Sequence, residues 1–563
     1  VKNRPLPVGY DDFRTIIENR FYYVDKTLLI KDLMDLKGQV NLFTRPRRFG
    51  KTLNLSMLQY FFENTDNDVT NDRNRQLFEG TDIMREGEPY IAHMSKYPVI
   101  NLTLKSGKQP TFELAMISLK RQIANEFRRH EKIKEDLGNL RPRYERIMCE
   151  EADDSDYIDA LAFLSQCLQT VYQTSCIILI DEYDVPLENA YFAGFYDQMA
   201  GFIRSLFESA LKTNRHLEFA VITGCLRITK ESIFTGLNNL EMISILDEYY
   251  GEYFGFTRLE VDEMLRYYDR SAAGEIIRQW YDGYLFGTKE VFNPWSVIKY
   301  VKALTLNEEA FPSPFWANTS SNNIVRALIE QADISAKSEI EQLLSGGTIE
   351  KQVHEEITYA DIFQSADNLW NFLFFTGYLR QVTNRMEGEN RYITMSIPNI
   401  EVRYIYNNTI MGWFRDEIKT RNLSAMYQAM MNGDAVGFQK DLSRLLMDSI
   451  SFMDGQEAFY HGFLLGILGN MSDYLVRSNR EGGNGRFDIV VRSLDVTVPA
   501  VILELKVSNS FKGMDAAADM AIRQIEEKRY DNWLPAEGYT QVLHFGIAFF
   551  KKQCLVKVVK KIF

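Results

Sequence analysis

The sequence is short of everything that would make it a disulfide scaffold, a zinc protein or a membrane protein. Its five cysteines (Cys149, Cys167, Cys176, Cys225 and Cys554) are scattered over 563 residues, and none forms Cys-x-x-Cys. That spacing excludes a disulfide framework or a clustered zinc site and fits reduced thiols in a cytoplasmic protein. The six histidines are equally dispersed and contain no His-Glu-x-x-His, which excludes a zinc-peptidase centre. No signal-peptide pattern stands out and no apolar run is long enough to cross a bilayer, so no membrane partner is expected. Positive charge is in deficit: 64 Lys and Arg stand against 77 Asp and Glu, a net charge of −13. A chain-wide nucleic-acid coat is thereby excluded, and any such contact must be local. Hydrophobic content is 45% and charged content 25%, ordinary for folded protein, and the length calls for several domains.

What is present is organised around Val40 to Thr52. Val40, Leu42 and Phe43 read as the end of a buried strand. Gly50-Lys51-Thr52 follows at a turn, and Leu53, Leu55, Met57, Leu58 and Phe61 recur at helical spacing. Strand, loop, Gly-Lys-Thr and helix is the context of a phosphate loop. Backbone N–H groups at the helix start and the positive end of its dipole hold phosphate oxygens. Lys51 is expected at the β- and γ-phosphates and Thr52 on Mg²⁺. The standard spacing would put glycine at 45, where this chain has Arg45. Arg45, Arg47, Arg48 and Lys51 nevertheless fall within seven residues, more positive charge than a solvated turn needs.

Two further strands end in chemistry. Cys176 to Ile180 is a continuous apolar run, read as a parallel strand buried on both faces, and it runs into Asp181-Glu182-Tyr183-Asp184. Asp181 is expected to hold Mg²⁺ through water and Glu182 to orient and activate the attacking water. Taken alone, two acids at a strand end are commonly just solvated; paired with Gly50-Lys51-Thr52 they point to an ATPase. Leu217 to Gly224 is a third strand. It places Thr223 near the γ-phosphate, with Arg227 in the following loop as a phosphate contact; a strand-end hydroxyl and a surface charge explain the same residues equally well.

Several separated stretches carry a family resemblance. They are Leu6-Pro7-Val8-Gly9, Tyr23-Val24-Asp25-Lys26-Thr27, Arg45-Pro46-Arg47-Arg48-Phe49-Gly50-Lys51-Thr52, Ser232 to Leu240, Trp280-Tyr281-Asp282-Gly283-Tyr284 and Asn293-Pro294-Trp295-Ser296. Over about residues 5 to 300 the chain resembles the bacterial AAA-ATPase-like family. The resemblance implies a P-loop NTPase core of the additional-strand type and makes Arg45 to Thr52 the usual phosphate loop of that family. It supplies no substrate. From about 258 to 432 the pattern turns to helices, read as a lid and connector.

The carboxyl-terminal part holds a second constellation. Glu457 opens an apolar helix, and a turn-rich piece leads into Phe487-Asp488-Ile489-Val490-Val491. Ala500 to Val507 then carries Glu504-Leu505-Lys506. Strand alternation puts Glu504 and Lys506 on one face. If Asp488 enters from a neighbouring strand, two carboxylates and an ammonium meet where a divalent metal could activate water. The order of helix Glu, Gly-Arg-x-Asp, apolar-Glu-x-Lys and a helix with Gln524 and Tyr530 resembles the PD-(D/E)xK nuclease superfamily. The resemblance implies Glu457, Asp488, Glu504 and Lys506 as metal and catalytic positions, with Gln524 supporting. Phe487 stands where the superfamily's proline would be. Residues 501–563 carry ten Lys and Arg against seven Asp and Glu, which suits a phosphate backbone.

The expectation is therefore an α/β protein in three parts. Residues 1–257 form a P-loop NTPase domain, 258–432 a helical lid and connector, and 433–563 a restriction-endonuclease-like α/β domain. ATP and Mg²⁺ are the expected cofactors, with Mn²⁺ an option at the nuclease site. Nucleic acid is the expected partner, DNA ahead of RNA, and a homo-oligomer is compatible with the sequence. The functional reading is an ATPase that controls a nuclease. The reading from another class is a regulatory NTPase switch whose last domain binds nucleic acid or protein without cutting.

Overall fold

A computed structural model describes residues 3–226, 233–234, 236–316, 334–353, 366–409, 422–448, 457–469, 471, 474–482 and 485–563. Arg227 and the side chain of Glu457 lie outside the described residues. The chain divides into two compact units. One holds residues 1–320 with 349–404, the other 321–348 with 405–563.

The first unit is built on a five-stranded sheet: β1 (Val40–Thr44), β2 (Val99–Thr103), β3 (Cys176–Asp181), β4 (Leu217–Gly224) and β5 (Leu240–Ile243). The spatial order is β2-β3-β4-β1-β5, and every neighbouring pair is parallel. β1 and β3 are buried along their whole length, which is why β3 reads as a continuous apolar run and β1 is apolar but for Asn41 and Thr44. β4 lies between β1 and β3, so the strand carrying the phosphate loop and the strand ending in acids are separated by one additional strand. The carboxyl ends of all three open on the same edge, where ligands sit in open α/β sheets.

Charge pairs fix the helices behind that edge. Arg129, closing the helix Phe112–Arg129, bonds to Glu63 just past the helix Lys51–Phe62, to Glu126, and to the Val99 carbonyl at the start of β2. Glu126 also accepts the Asn101 N–H at 2.7 Å. Burial alone would push the Glu126 carboxyl up. Arg129 and His130 beside it outweigh that and hold it down at about 2. A carboxylate depressed in the folded state stabilises above its unfolded range and loses that contribution as pH falls through the folded value. Glu126→Gln is expected to cost up to about 3 kcal/mol at neutral pH and to flatten the loss of melting temperature on acidification. Melting curves of both proteins between neutral pH and about pH 3 check this.

The stretch expected as a helical connector carries strands as well as helices and is shared between the two units. β6 (Phe256–Thr257), β7 (Tyr284–Phe286) and β8 (Lys289–Phe292) form one antiparallel sheet. β9 (Ile349–Gln352), β10 (Arg380–Glu387) and β11 (Asn390–Ser396) form another. Helices Arg258–Tyr267 and Pro294–Leu306 pack around an apolar cluster that includes Phe256, Leu265, Tyr281, Val297 and Tyr300.

The second unit is a sandwich around one mixed sheet, β12 (Tyr474–Gly482), β13 (Gly485–Ser493), β14 (Ala500–Val507), β15 (Gln541–Phe550) and β16 (Gln553–Ile562), in that spatial order. Only β14 and β15 run parallel. One face, with Ile489, Val491, Leu503 and Leu505, buries Tyr460, Phe463 and Leu464 of the helix Glu457–Leu468 and Phe438 and Leu442 of Ala435–Asp448. The opposite face receives the helix Met514–Lys528. It approaches so closely that a Cβ at Gly546 would stand 2.4 Å from the Ala518 carbonyl. Among the described residues no helix is long and apolar enough to cross a membrane, and all five cysteines are free.

Candidate functional site

The loop after β1 is shaped by the residues that depart from the glycine pattern. Arg45 is fully buried, and its Nη1 donates to the Thr44 and Ile243 carbonyls at 3.0 and 2.9 Å. Its guanidinium lies 5.2 Å from the ring centres of both Phe254 and Phe286, and burial pulls its pKa down to about 9. The side chain counted in the sequence with the phosphate-contacting cations is thus a strut between β1, β5 and two aromatic rings. Cation–π attraction offsets part of its desolvation. Phe49 is also fully buried, against Tyr284 and Phe286. Pro46 is buried, and a Cβ at Gly377 would come within 2.9 Å of it.

Arg47 pairs with Glu188 of the helix Val185–Ala193. Arg48 is exposed at φ 69°, a conformation that costs a non-glycine residue roughly 1 kcal/mol. Its guanidinium sits 4.3 Å from the Trp295 ring centre, a contact that compensates. Trp295 is held by the Asn293 cap, and Ser296 beside it donates to the buried carboxyl of Glu401. The separated motifs at 280–284 and 293–296 therefore converge on the loop. The motif at 23–27 does structural work elsewhere: Lys26 is buried and donates to both oxygens of Glu260 at 2.6 and 2.7 Å.

Gly50 takes φ 82° and starts the helix Lys51–Phe62. Lys51 is 7% exposed, and its Nζ donates to the Arg45 and Pro46 carbonyls at 2.9 Å each. It also lies 3.6 Å from Cys225 Sγ, a thiol that burial pushes up to about 11 and so keeps neutral. Thr52 Oγ1 donates to one oxygen of Asp181 at 2.7 Å, and Thr223 Oγ1 to the other at 2.5 Å. β1, β3 and β4 thus deliver Lys51, Thr52, Asp181 and Thr223 to one point. Glu182 follows in the left-handed region at φ 52°. Burial and the neighbouring Asp181 push its carboxyl up, against Lys105 and Lys51. Asp184 is 2% exposed, and its Oδ2 accepts the N–H groups of Cys225 and Leu226 at 2.7 and 3.2 Å, which ties the exit of β4 to the acids of β3. This donor set fits a polyphosphate with a divalent cation: helix-start N–H groups, one ammonium, and a hydroxyl–carboxylate pair.

In the second unit the nuclease-type residues also come together. Glu504 is 2% exposed. Its Oε1 accepts from Gln524 and, at 3.2 Å, from Lys506 Nζ, while its buried Oε2 has no hydrogen-bond partner among the described residues. Burial and Asp488 push the carboxyl up to about 7. Asp488 Oδ2 accepts the Leu505 N–H at 2.8 Å, and Gln524 also donates to the Tyr530 hydroxyl at 3.2 Å. A buried carboxylate oxygen without a donor, beside a second carboxylate, fits a divalent cation. Glu457 begins its helix one turn before His461, whose Nε2 lies 3.0 Å from the Asp488 carbonyl oxygen. His461 went unnoticed in the sequence, although its spacing from Glu457 was a signal. Among the carboxyl-terminal lysines, Lys557 bridges Asp515 and Asp519 and Lys561 pairs with Asp531, so the local basicity is smaller than the residue count suggests.

A parallel sheet with an additional strand between phosphate loop and acids defines the first unit as a P-loop NTPase fold. The mixed sheet with Asp488, Glu504 and Lys506 gives the second a nuclease-like fold. Comparison with known proteins agrees. Residues 7–234 match the family model described as "Predicted AAA-ATPase", and residues 455–559 match that of the PD-(D/E)XK nuclease superfamily. The chain carries both domains. It is also 24% identical over 553 residues to a protein of Azotobacter chroococcum mcd 1 described as "Uncharacterized protein in vnfD 5'region", covering 96% of this chain and 95% of that one.

Proposed function

We propose that the chain binds and hydrolyses ATP at its first domain and that this controls a metal-dependent nuclease at its last, acting on nucleic acid, DNA ahead of RNA. The observation that carries the reading is that each domain brings its polar residues to a single point. Lys51, Thr52, Asp181 and Thr223 meet at the ends of three strands, and Asp488, Glu504 and Lys506 meet where β13 and β14 part. Lys51 leaves the loop carbonyls for the β- and γ-phosphates, Arg47 and Arg48 flank them, and Glu182 takes the proton of the attacking water. Bound Mg²⁺ would neutralise phosphate charge at Thr52 and Asp181, and a divalent ion at Glu504 and Asp488 would lower the pKa of a bound water. Lys506 then steadies the charge that develops on the attacked phosphate.

Lys51→Ala tests both halves. Lys51 supplies the ammonium at the start of the loop's helix, so ATP affinity is expected to fall by roughly a hundredfold, read by calorimetry. Cleavage of plasmid DNA by wild type should change when ATP is added, and cleavage by Lys51→Ala should not. Unchanged ATP affinity would remove the nucleotide reading. Cleavage indifferent to ATP in the wild type would remove control and leave two tethered enzymes.

A further inference from the structure

The antiparallel ladder between β13 and β14 ends at the pair Ile489–Leu503. Past it the strands separate, and the carboxyls of Asp488 and Glu504 stand at the opening. Backbone groups that leave a ladder inside a protein must find other partners, since an unsatisfied one keeps the full penalty of its lost hydration. Two side chains supply them. The Leu505 N–H goes to Asp488 Oδ2 at 2.8 Å. The Asp488 carbonyl oxygen goes to His461 Nε2 at 3.0 Å. A carbonyl can only accept, so Nε2 carries the proton, and the tautomer follows from the geometry. His461 lies on the helix whose Tyr460, Phe463 and Leu464 are buried against the far face of the sheet. Its anchor is therefore rigid. It stands four residues, about one helical turn, after Glu457 in the chain.

We propose that His461 is a positioning residue of the nuclease-type site, holding the Asp488 backbone, and through it the Asp488 carboxylate, in place against Glu504. The proposal rests on the nuclease reading of that site. An imidazole that steadies a carboxylate through its backbone acts as the outer partners of metal ligands do, and losing such a partner costs about 10- to 100-fold in metal affinity.

The test uses the full chain without nucleotide, with Mn²⁺ as the calorimetric probe and Glu504→Gln as the reference that removes the site's own isotherm. His461→Leu fills similar space without a donor. His461→Gln restores an N–H at similar reach. The Leu variant should fold and melt cooperatively, a few degrees below wild type because the Asp488 carbonyl loses its donor, bind Mn²⁺ roughly tenfold or more weakly and cut correspondingly less; the Gln variant should return to within about threefold of wild type in affinity and toward its melting temperature. If the Leu variant does not fold, the Gln variant alone decides: wild-type-like affinity supports the proposal and lost affinity overturns it. A folded Leu variant with wild-type affinity overturns the role of His461 while the nuclease reading stands. Gln as impaired as Leu overturns it too, because the donor was then not the function. A wild type that shows no isotherm removable by Glu504→Gln, and no cleavage, fails the nuclease reading and the proposal with it.

Discussion

Glu182→Gln is expected to bind ATP like the wild type and to lose turnover by about a hundredfold or more. The residue sits just past β3 in a left-handed conformation that a side chain adopts only when its surroundings hold it there. That backbone kink directs it away from the line of the strand, whereas Asp181 one residue earlier is engaged by Thr52 and Thr223. Burial and Asp181 raise its carboxyl above the ordinary range, which makes it a stronger base than a solvated glutamate. A base works only when deprotonated, so wild-type turnover should fall as pH drops through this raised value. The Gln variant should show no such limb. Gln keeps size and hydrogen bonding, so binding is the internal control. Phosphate release across pH, with calorimetry at neutral pH, reads both. Full turnover in Glu182→Gln would refute the assignment. Asp184 would be a poor substitute, since it is buried and holds the Cys225 and Leu226 N–H groups; replacing it should loosen the exit of β4.

Much of this was legible in the sequence because the informative residues report on backbone rather than on contacts. The continuous apolar run at 176–180 and the mostly apolar stretches at 40–44 and 217–224 are what strands of a parallel sheet covered on both sides demand, and those strands lie where the sequence placed them. Gly50-Lys51-Thr52 and Glu504-Leu505-Lys506 are local in the chain, so spacing alone places their members together. Arg45 was not legible. From sequence it is one more cation in a basic loop; only the crossing of β5 and the rings of Phe254 and Phe286 turns it inward. The same holds for Trp295, nearly 250 residues from Arg48, and for the Asp184 link to β4. The strands β7 to β11 were hidden because several are short or lie in exposed, polar stretches. β10 is mostly exposed and gives no strong apolar alternation.

Glu504→Gln is expected to remove divalent-metal binding and nucleic-acid cleavage together while ATP hydrolysis continues. The side chain is 2% exposed, and among the described residues its Oε2 has no donor, so its negative charge is only partly met by Gln524 and Lys506 on the other oxygen. Asp488 adds a second carboxylate, and burial together with that neighbouring charge pushes the Glu504 carboxyl up to about 7. Two carboxylates sharing one ammonium leave the site short of positive charge, which a divalent ion supplies. The amide in Glu504→Gln keeps the shape, removes the charge, and presents either a weak neutral oxygen or an N–H toward the ion. Lys506→Ala should behave differently. Its side chain is 20% exposed and its ammonium bonds one oxygen of Glu504 at 3.2 Å, so metal affinity should survive within a few-fold while cleavage falls by about a hundredfold or more, as when one preorganised donor to a developing charge is lost. Mn²⁺ calorimetry, plasmid cleavage and phosphate release on the three proteins separate the roles. Loss of metal binding in Lys506→Ala would show that the lysine serves to hold Glu504 rather than to act on the reacting phosphate. Metal binding that survives Glu504→Gln would place the ion elsewhere. Failure of all three proteins, wild type included, to bind metal or cut any nucleic acid would leave an NTPase whose last domain binds without cutting.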